Sequence, residues 1–275
     1  MAASRDAILS SFKAGNALKI ISGINNFDVE VVRKVSAAAS LGGASFVDIA
    51  CDAELIKAAK ASSSIPVCVS SIEPQKFVDA VEAGADMVEI GNYDYLYDEG
   101  ILFSPEDIIR LTKLTRKYLP DIVLSVTIPH TLLLHEQISL AQALEGLGAD
   151  IIQTEGKMSI KPQGMGVQES IELASPTIAS AYAISRAVKI PVMCASGLND
   201  ITAPLAIAAG ARGVGIGSMV NKLTSISQMT LAVAALSRSL GRKVPDQSST
   251  PAEPISDFAV TACEAVSSVQ SKICM

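Results

Sequence analysis

The sequence predicts an α/β fold, a single (β/α)8 barrel followed by a linker and a tail helix. Eight short apolar, β-branched runs alternate with helical stretches along most of the 275 residues, the pattern of a parallel sheet with helical crossovers. Eight strands favour closure into a barrel over an open sheet, and roughly 250 residues is an ordinary size for one such barrel. Residues 65–92 also echo residues 190–218 with one gap, about 125 residues further on. That offset is half the folded core, as if the third and fourth units repeated as the seventh and eighth.

The chain opens on "MAASRDAILSSFKAGNALK", read as a short leading helix. The strands are predicted at 18–24, 46–50, 66–70, 87–91, 122–128, 151–155, 191–196 and 213–217. Between the first two, "DVEVVRKVSAAASLG" has 3.6-residue periodicity, with Asp28 as N-cap and glycines at its end. "SPEDIIRLTKLTRKYLP" places Ser104 as N-cap, Pro105 at the first helical position and acids in the first turn. Helix-to-strand joints recur as "GGASFVDIA", "GADMVEIGN" and "GADIIQTEG", each with a glycine suited to a helix C-cap. The barrel is predicted to occupy residues 1–241. Residues 242–275 begin with the Pro- and Ser-rich "VPDQSSTPAEP", and Ile255, Phe258, Ala262, Val266, Val269 and Ile273 then fall at helical spacing. This amphipathic tail has no basic polar face, so it suits docking on the barrel or on a second copy in a homo-oligomer, not on a membrane.

Hydrophobic residues make up 49% and charged residues 18%, which supports a large core; aromatics are 4% and Trp is absent. The core must then be built from Ala, Val, Ile and Leu. The net charge is −6 and the cations are scattered singly, so no basic stripe invites nucleic acid. No apolar run approaches the roughly 20 residues of a membrane span. The five cysteines, with no CxxC or Cys/His cluster, read as reduced intracellular thiols; Cys68 and Cys194 lie in predicted strands as small buried hydrophobes, and Cys51 ends one.

In barrels of this kind the site lies at the C-terminal ends of the strands, and phosphate is often held after strands seven and eight. Ser196 and Gly197 end the seventh strand, and Gly215, Gly217 and Ser218 end the eighth. Glycine lets a backbone approach an anion closely, so these five residues are the candidate phosphate cradle. Arg212 precedes its strand, at the opposite end, and with Lys222 is the only nearby cation; a phosphate there would rely on backbone amides.

Charges inside apolar strands form the second constellation: Lys19, Asp48, Glu89 and Glu155, with Gln153 beside them. An isolated charge in such a strand costs too much unless it is paired or faces a wet cavity. The acids are candidate general bases, and Lys19 a charge partner or an imine-forming amine. Lys157 is a rival imine lysine, and the structural alternative is an ion-pair layer filling the barrel. Thr127 and His130 end strand five, while His135 belongs to the next helix. Two separated histidines without cysteine neighbours argue against zinc; magnesium on Asp48 and Glu89 is conceivable but nothing demands it, and the sequence leaves the cofactor open. "EIGNYDYLYDEG" gathers three of the five tyrosines after strand four, suiting a loop over the barrel mouth or a subunit contact. Asn25 and Asn26 end strand one.

"KIISGINNFD", "GADMVEIGNYD", "LSVTIPH", "PTIASAYAISRAV" and "CASGLNDITAPLAIAAGARGVGIGSMVNKL", with the joints above, resemble the hypothetical chloroplast reading-frame protein twenty-three family of cyanobacteria, algal plastids and plants. The resemblance spans residues 18–223. It implies a (β/α)8 TIM barrel and a plastid (chloroplast) or cyanobacterial home, and it brings no reaction or catalytic residue with it. At fold level the chain is also similar to the phosphate-binding TIM barrels, such as thiazole synthase and the sugar-phosphate epimerases. The expectation is a soluble protein that binds a small phosphorylated metabolite and acts as a lyase or isomerase. The alternative is a non-catalytic plastid protein binding a metabolite or partner for regulation or assembly.

Overall fold

The computed structural model describes residues 4–156 and 161–245. Eight parallel strands close into one barrel in chain order: β1 (Ala17–Gly23), β2 (Phe46–Ala50), β3 (Val67–Ser71), β4 (Met87–Ile90), β5 (Val123–Thr127), β6 (Ile151–Thr154), β7 (Val192–Ala195) and β8 (Gly213–Ile216). Around them run α1 (Arg5–Lys13), α2 (Val29–Leu41), α3 (Ala53–Ser62), α4 (Pro74–Glu82), α5 (Asp94–Asp98) and α6 (Pro105–Tyr118). The second half adds α7 (Leu134–Gly146), α8 (Val167–Ile184), α9 (Ala203–Ala209), α10 (Ser218–Asn221) and α11 (Ile226–Ser239). Every predicted strand is present. Several end a residue or two early, because their last residues turn out of the ladder into the loops of the barrel mouth.

The helix starts follow the capping chemistry of the sequence. Asp28 accepts the N–H groups of Glu30 and Val31 at the head of α2, and Ser104 with Asp107 forms a reciprocal capping box at the head of α6. The tyrosine segment read as a loop contains α5, whose five residues are too few to show a helical period.

Apolar residues form two separate cores. One lies between barrel and helices, where outward strand residues such as Leu18, Val47, Val88 and Leu124 meet Val35, Phe77 and Leu144. The other fills the bottom of the barrel: Phe46, Cys68, Met87, Val123, Ile151 and Met193 point inward, and α1 lays Ile8 and Phe12 over them. The Phe12 and Phe46 rings stand 5.9 Å apart. Burying a side chain like Phe12 contributes about 2–3 kcal/mol, so the leading helix is a structural plug.

The recurring Gly-Ala joints carry a polar device at this same end. The Ser45 hydroxyl accepts the Leu18 N–H at 3.0 Å, the Asp86 carboxylate the Val67 N–H at 2.7 Å, and the Asp150 carboxylate the Leu124 N–H at 2.9 Å. Each joint thus pins the start of the preceding strand. Lys60 pairs with Asp86, and Arg5 and Arg116 with Asp150. Arg242, at the start of the segment predicted as linker, donates to the carbonyls of Gly43 and Asn16 at 3.1 and 2.9 Å. Lys157, Cys263, Cys274 and the predicted tail helix lie outside the described residues. No described helix is long and apolar enough to cross a membrane.

Candidate functional site

Strand alternation turns one residue in two toward the barrel axis, and above the apolar bottom those residues are polar. Lys19 of β1 reaches across to Glu89 of β4, its Nζ 2.8 and 2.7 Å from the two carboxylate oxygens, and stands 3.7 Å from Asp48 of β2. All three are buried. Burial works against the Lys19 charge, but Glu89 and then Asp48 outweigh it and hold its pKa above the ordinary lysine value. The amine therefore keeps its proton. Of the two roles open to Lys19, the geometry matches the charge partner, because an imine requires a free amine.

Polar neighbours extend this layer, although the Gln153 side-chain oxygen is buried without a hydrogen-bond partner. Gln153 donates to Glu89 at 2.8 Å and to Thr127 at 3.1 Å; Ser70 donates to Asp48 at 2.7 Å; Asn92 donates to Asp48 and Ser70, each at 2.8 Å. Asp48 and Glu89, the pair that a magnesium ion would use, are bridged by an ammonium instead. Among the described residues no group of three His, Cys, Asp or Glu side chains converges to hold a metal.

Directly above lies a cavity of about 200 Å³ at the C-terminal mouth. All five candidate phosphate residues, Ser196, Gly197, Gly215, Gly217 and Ser218, line it, together with Glu155, Gln153 and Asn92. The structure thus separates the second constellation: Glu155 faces the cavity, whereas Lys19, Asp48 and Glu89 form the layer beneath it, connected upward through Gln153 and Asn92.

Glu155 follows β6 and is almost wholly enclosed. It accepts a hydrogen bond from the Tyr97 hydroxyl and the His130 backbone N–H, the latter at 3.1 Å. Burial and then the nearby Asp94 push its carboxyl up to about 8 in spite of these donors. At neutral pH its carboxyl is therefore held mostly in the protonated form. The His130 ring stacks on Tyr97, centroids 4.8 Å apart, and burial lowers its pKa. Cys51, half-buried at the end of β2, has its thiol pushed up to about 12 by burial, which makes it a poor nucleophile.

The backbone is strained where this cavity is built. Among the described residues only two non-glycine positions have positive φ, Asn92 at 63° and Ser196 at 74°, and both lie in the cavity wall. Such strain persists only where the surroundings enforce it and gathers at functional sites. At Asn92 it aims the side-chain amide at Asp48. The sequence carries a signal for it in Gly91-Asn92, since Asn is one of the few residues tolerant of this conformation.

Two of the glycines answer to packing as well as to any ligand. Gly197 has φ +75°, and a Cβ on it would overlap the Leu173 carbonyl of α8. A Cβ on Gly215 would stand 2.9 Å from that of Ala195 and 3.1 Å from Cδ1 of Ile21, so Gly215 makes room for its barrel-lining neighbours. Gly217 and Ser218 are freer; a Cβ at Gly217 would come no closer than 3.3 Å, to the Ile21 carbonyl. The backbone N–H groups of Gly197 and Leu198 donate to no protein acceptor among the described residues, leaving two donors at the cavity.

A closed (β/α)8 barrel with a cavity at the C-terminal ends of its strands defines the fold class, in which sites are characteristically carried on the βα loops. Solved structures agree on the fold. (S)-3-O-geranylgeranylglyceryl phosphate synthase from Thermoplasma acidophilum, in complex with sn-glycerol-1-phosphate, superposes with a TM-score of 0.57 at 15% identity, covering 87% of this chain and 99% of that one. A 3-hexulose-6-phosphate synthase gives 0.57 at 15% identity, over 81% and 99%. Within the class, residues 2–245 match the family model described as protein of unknown function (DUF561), and the chain belongs to that family. It is 42% identical over 246 residues to the uncharacterized protein ycf23 of Antithamnion sp., covering 86% of this chain and 89% of the relative. To the ycf23 protein of Cyanophora paradoxa it is 46% identical over 218 residues, 79% and 89% of the two chains. The resemblance found in the sequence motifs is therefore a family membership.

Proposed function

We propose that this protein binds a small phosphorylated metabolite in the C-terminal cavity and acts on it as a lyase or isomerase, in a plastid or cyanobacterial setting. The observation that carries the reading is that one cavity wall holds both the turns after β7 and β8 and the buried Glu155 carboxyl. The phosphate sits against the backbone of Gly197, Leu198, Gly217 and Ser218, whose amides supply the donors that the missing cations do not. Glu155, neutral at pH 7, gives its proton to a substrate oxygen, and the resulting carboxylate takes a proton back to complete the cycle. Lys19, Asp48 and Glu89 act as positioning residues by fixing Gln153 and Asn92 in the cavity floor. The phosphate ligands named for the synthases that share this fold support the ligand class.

The closed, shielded state of the Lys19 network favours a second reading, in which the barrel holds its ligand without turning it over. One set of experiments separates the two. Thermal shift is measured with inorganic phosphate and triose, pentose and hexose phosphates on the wild type, Ser218→Asp and Glu155→Gln. Ser218 is exposed, so an added carboxylate there repels an anion without disturbing packing. A ligand at 100 times its Kd stabilises by about 2.7 kcal/mol, roughly 5–10 °C in a chain of this size. The expected result is such a shift in the wild type and Glu155→Gln and none in Ser218→Asp, with turnover lost in Glu155→Gln. No shift with any phosphate ester, or equal shifts in wild type and Ser218→Asp, refutes phosphate binding. Binding without turnover by the wild type selects the second reading.

A further inference from the structure

We propose that the opposite, N-terminal face of the barrel carries a second site, for a small molecule bearing two or more anionic groups. A cleft of about 1080 Å³ opens there between α1 and the turns that lead into β7 and β8, and it shares no residue with the C-terminal cavity. Its charge is one-sided. Arg5, Lys13, Arg186, Lys189 and Arg212 line it, against a single carboxylate, Asp150. The chain as a whole has a net charge of −6, so this excess of cations runs against the overall balance.

Structural duties account for only part of the cluster. Asp150 is committed to Arg5, to Arg116 at 2.8 Å and to the Leu124 N–H. Arg186 lies over the Tyr182 ring, 3.5 Å from its centroid, and donates to the carbonyls of Tyr182 and Ala209 at 2.7 and 3.0 Å. Lys13, Lys189 and Arg212 are left. They are exposed and form no ion pair among the described residues. The three come from distant parts of the chain: the end of α1, the α8–β7 turn and the α9–β8 turn. The Arg212 guanidinium reaches to 3.4 Å from where a Cβ on Gly15 would stand, two residues beyond Lys13.

Like charges gathered in a cleft repel one another and destabilise the fold slightly, while the cleft walls focus their field on an incoming anion. Stability therefore does not explain the cluster, whereas anion capture does. The free cations stand on three separate segments, and the volume, about 1080 Å³, is at the upper end of what small-molecule sites occupy. Both point to a ligand with at least two anionic groups, as in a diphosphate, a nucleotide or a polycarboxylate. Apolar lining from Leu9, Ile190 and Val192 leaves room for its carbon skeleton.

The test is isothermal titration of the full chain with pyrophosphate and with citrate, at low salt and at ~0.3 M salt, where screening weakens exposed charge pairs. The proteins are the wild type, the triple variant Lys13→Gln/Lys189→Gln/Arg212→Gln and Ser218→Asp. All these positions are exposed, so folding is preserved. The expected result is binding of at least one anion by the wild type, weakened roughly tenfold or more in the triple variant and at high salt, and unchanged in Ser218→Asp. Preference between the two anions then assigns phosphate or carboxylate chemistry. No binding of either anion, or equal binding by wild type and triple variant, overturns the proposal. Loss in Ser218→Asp with retention in the triple variant also overturns it, by placing the anion in the C-terminal cavity; the two sites therefore fail separately.

Discussion

Replacing Glu155 with Gln removes one proton from the titration of the folded state, and the structure sets how much stability that proton controls. The carboxyl is buried, and burial with Asp94 raises its pKa from 4.5 to about 8. Below pH 4.5 it is protonated in both the folded and the unfolded chain and contributes nothing to pH dependence. Between pH 4.5 and 8 the unfolded chain has ionised and the folded one has not, so folding takes up a proton. Stability then falls as pH rises, by about 1.4 kcal/mol per pH unit. Above about pH 8 both states are ionised and the loss levels off, at about 5 kcal/mol in total. Gln keeps a carbonyl oxygen for the Tyr97 hydroxyl and the His130 N–H and carries no titrating group. The assay is urea unfolding of the wild type and Glu155→Gln at intervals from pH 4.5 to 9.5, with the difference in unfolding free energy plotted against pH. That difference moves in favour of the variant by several kcal/mol between pH 5 and 8 and is flat above. A difference that stays constant within about 0.5 kcal/mol across this range refutes the raised pKa and, with it, Glu155 as a proton donor at neutral pH.

Lys19→Met leaves Glu89 and Asp48 buried without their cation and is expected to cost about 3–5 kcal/mol in urea unfolding; adding Glu89→Gln should recover a large part of that loss. Gly197→Ala meets both a positive φ and the Leu173 carbonyl, so it should lower stability by about 2–4 kcal/mol and lower the melting temperature even without ligand. Asp150→Ala strips the Leu124 N–H and two arginines of their acceptor; a loss of about 2–4 kcal/mol is expected, with exchange of the Leu124 amide in hydrogen-exchange measurements accelerated out of proportion to the rest of β5.

The alternation of β-branched runs with capped helices exposed the barrel, and the smallness of residues 196, 197, 215, 217 and 218 exposed the wall of the cavity. The cost of an isolated charge in an apolar strand marked Lys19, Asp48 and Glu89 as paired or facing a wet cavity. Their depth was hidden, because height along a barrel axis depends on the stagger accumulated through all eight strand pairs, which no single segment encodes. The sequence likewise could not distinguish a glycine kept for a ligand from one kept for a neighbour. Gly215 is hemmed in by Ala195 and by Ile21, and Ile21 lies at the far end of the chain. Asp94 and Tyr97 reach the site from α5, a helix of barely more than one turn, too brief for periodicity to reveal.

The polar joints at the barrel bottom bear on the order in which the chain folds. Ser45 binds a residue 27 positions away, Asp86 one 19 away and Asp150 one 26 away, so each bond closes a loop of one strand–helix–strand unit and no more. Closing short loops is fast, and each joint can form before the rest of the molecule is in place. The β1–β8 seam, where Ala17 lies beside Gly213, needs nearly the whole chain. Assembly should run as a series of local units, with the Lys19 ion pair forming when β1 and β4 face each other across a partly built barrel and the seam shutting last. A circular permutant opened between β4 and β5 keeps all three joints and moves the seam to the β4–β5 pair, so closure of that pair, in place of β1–β8, should become its last step.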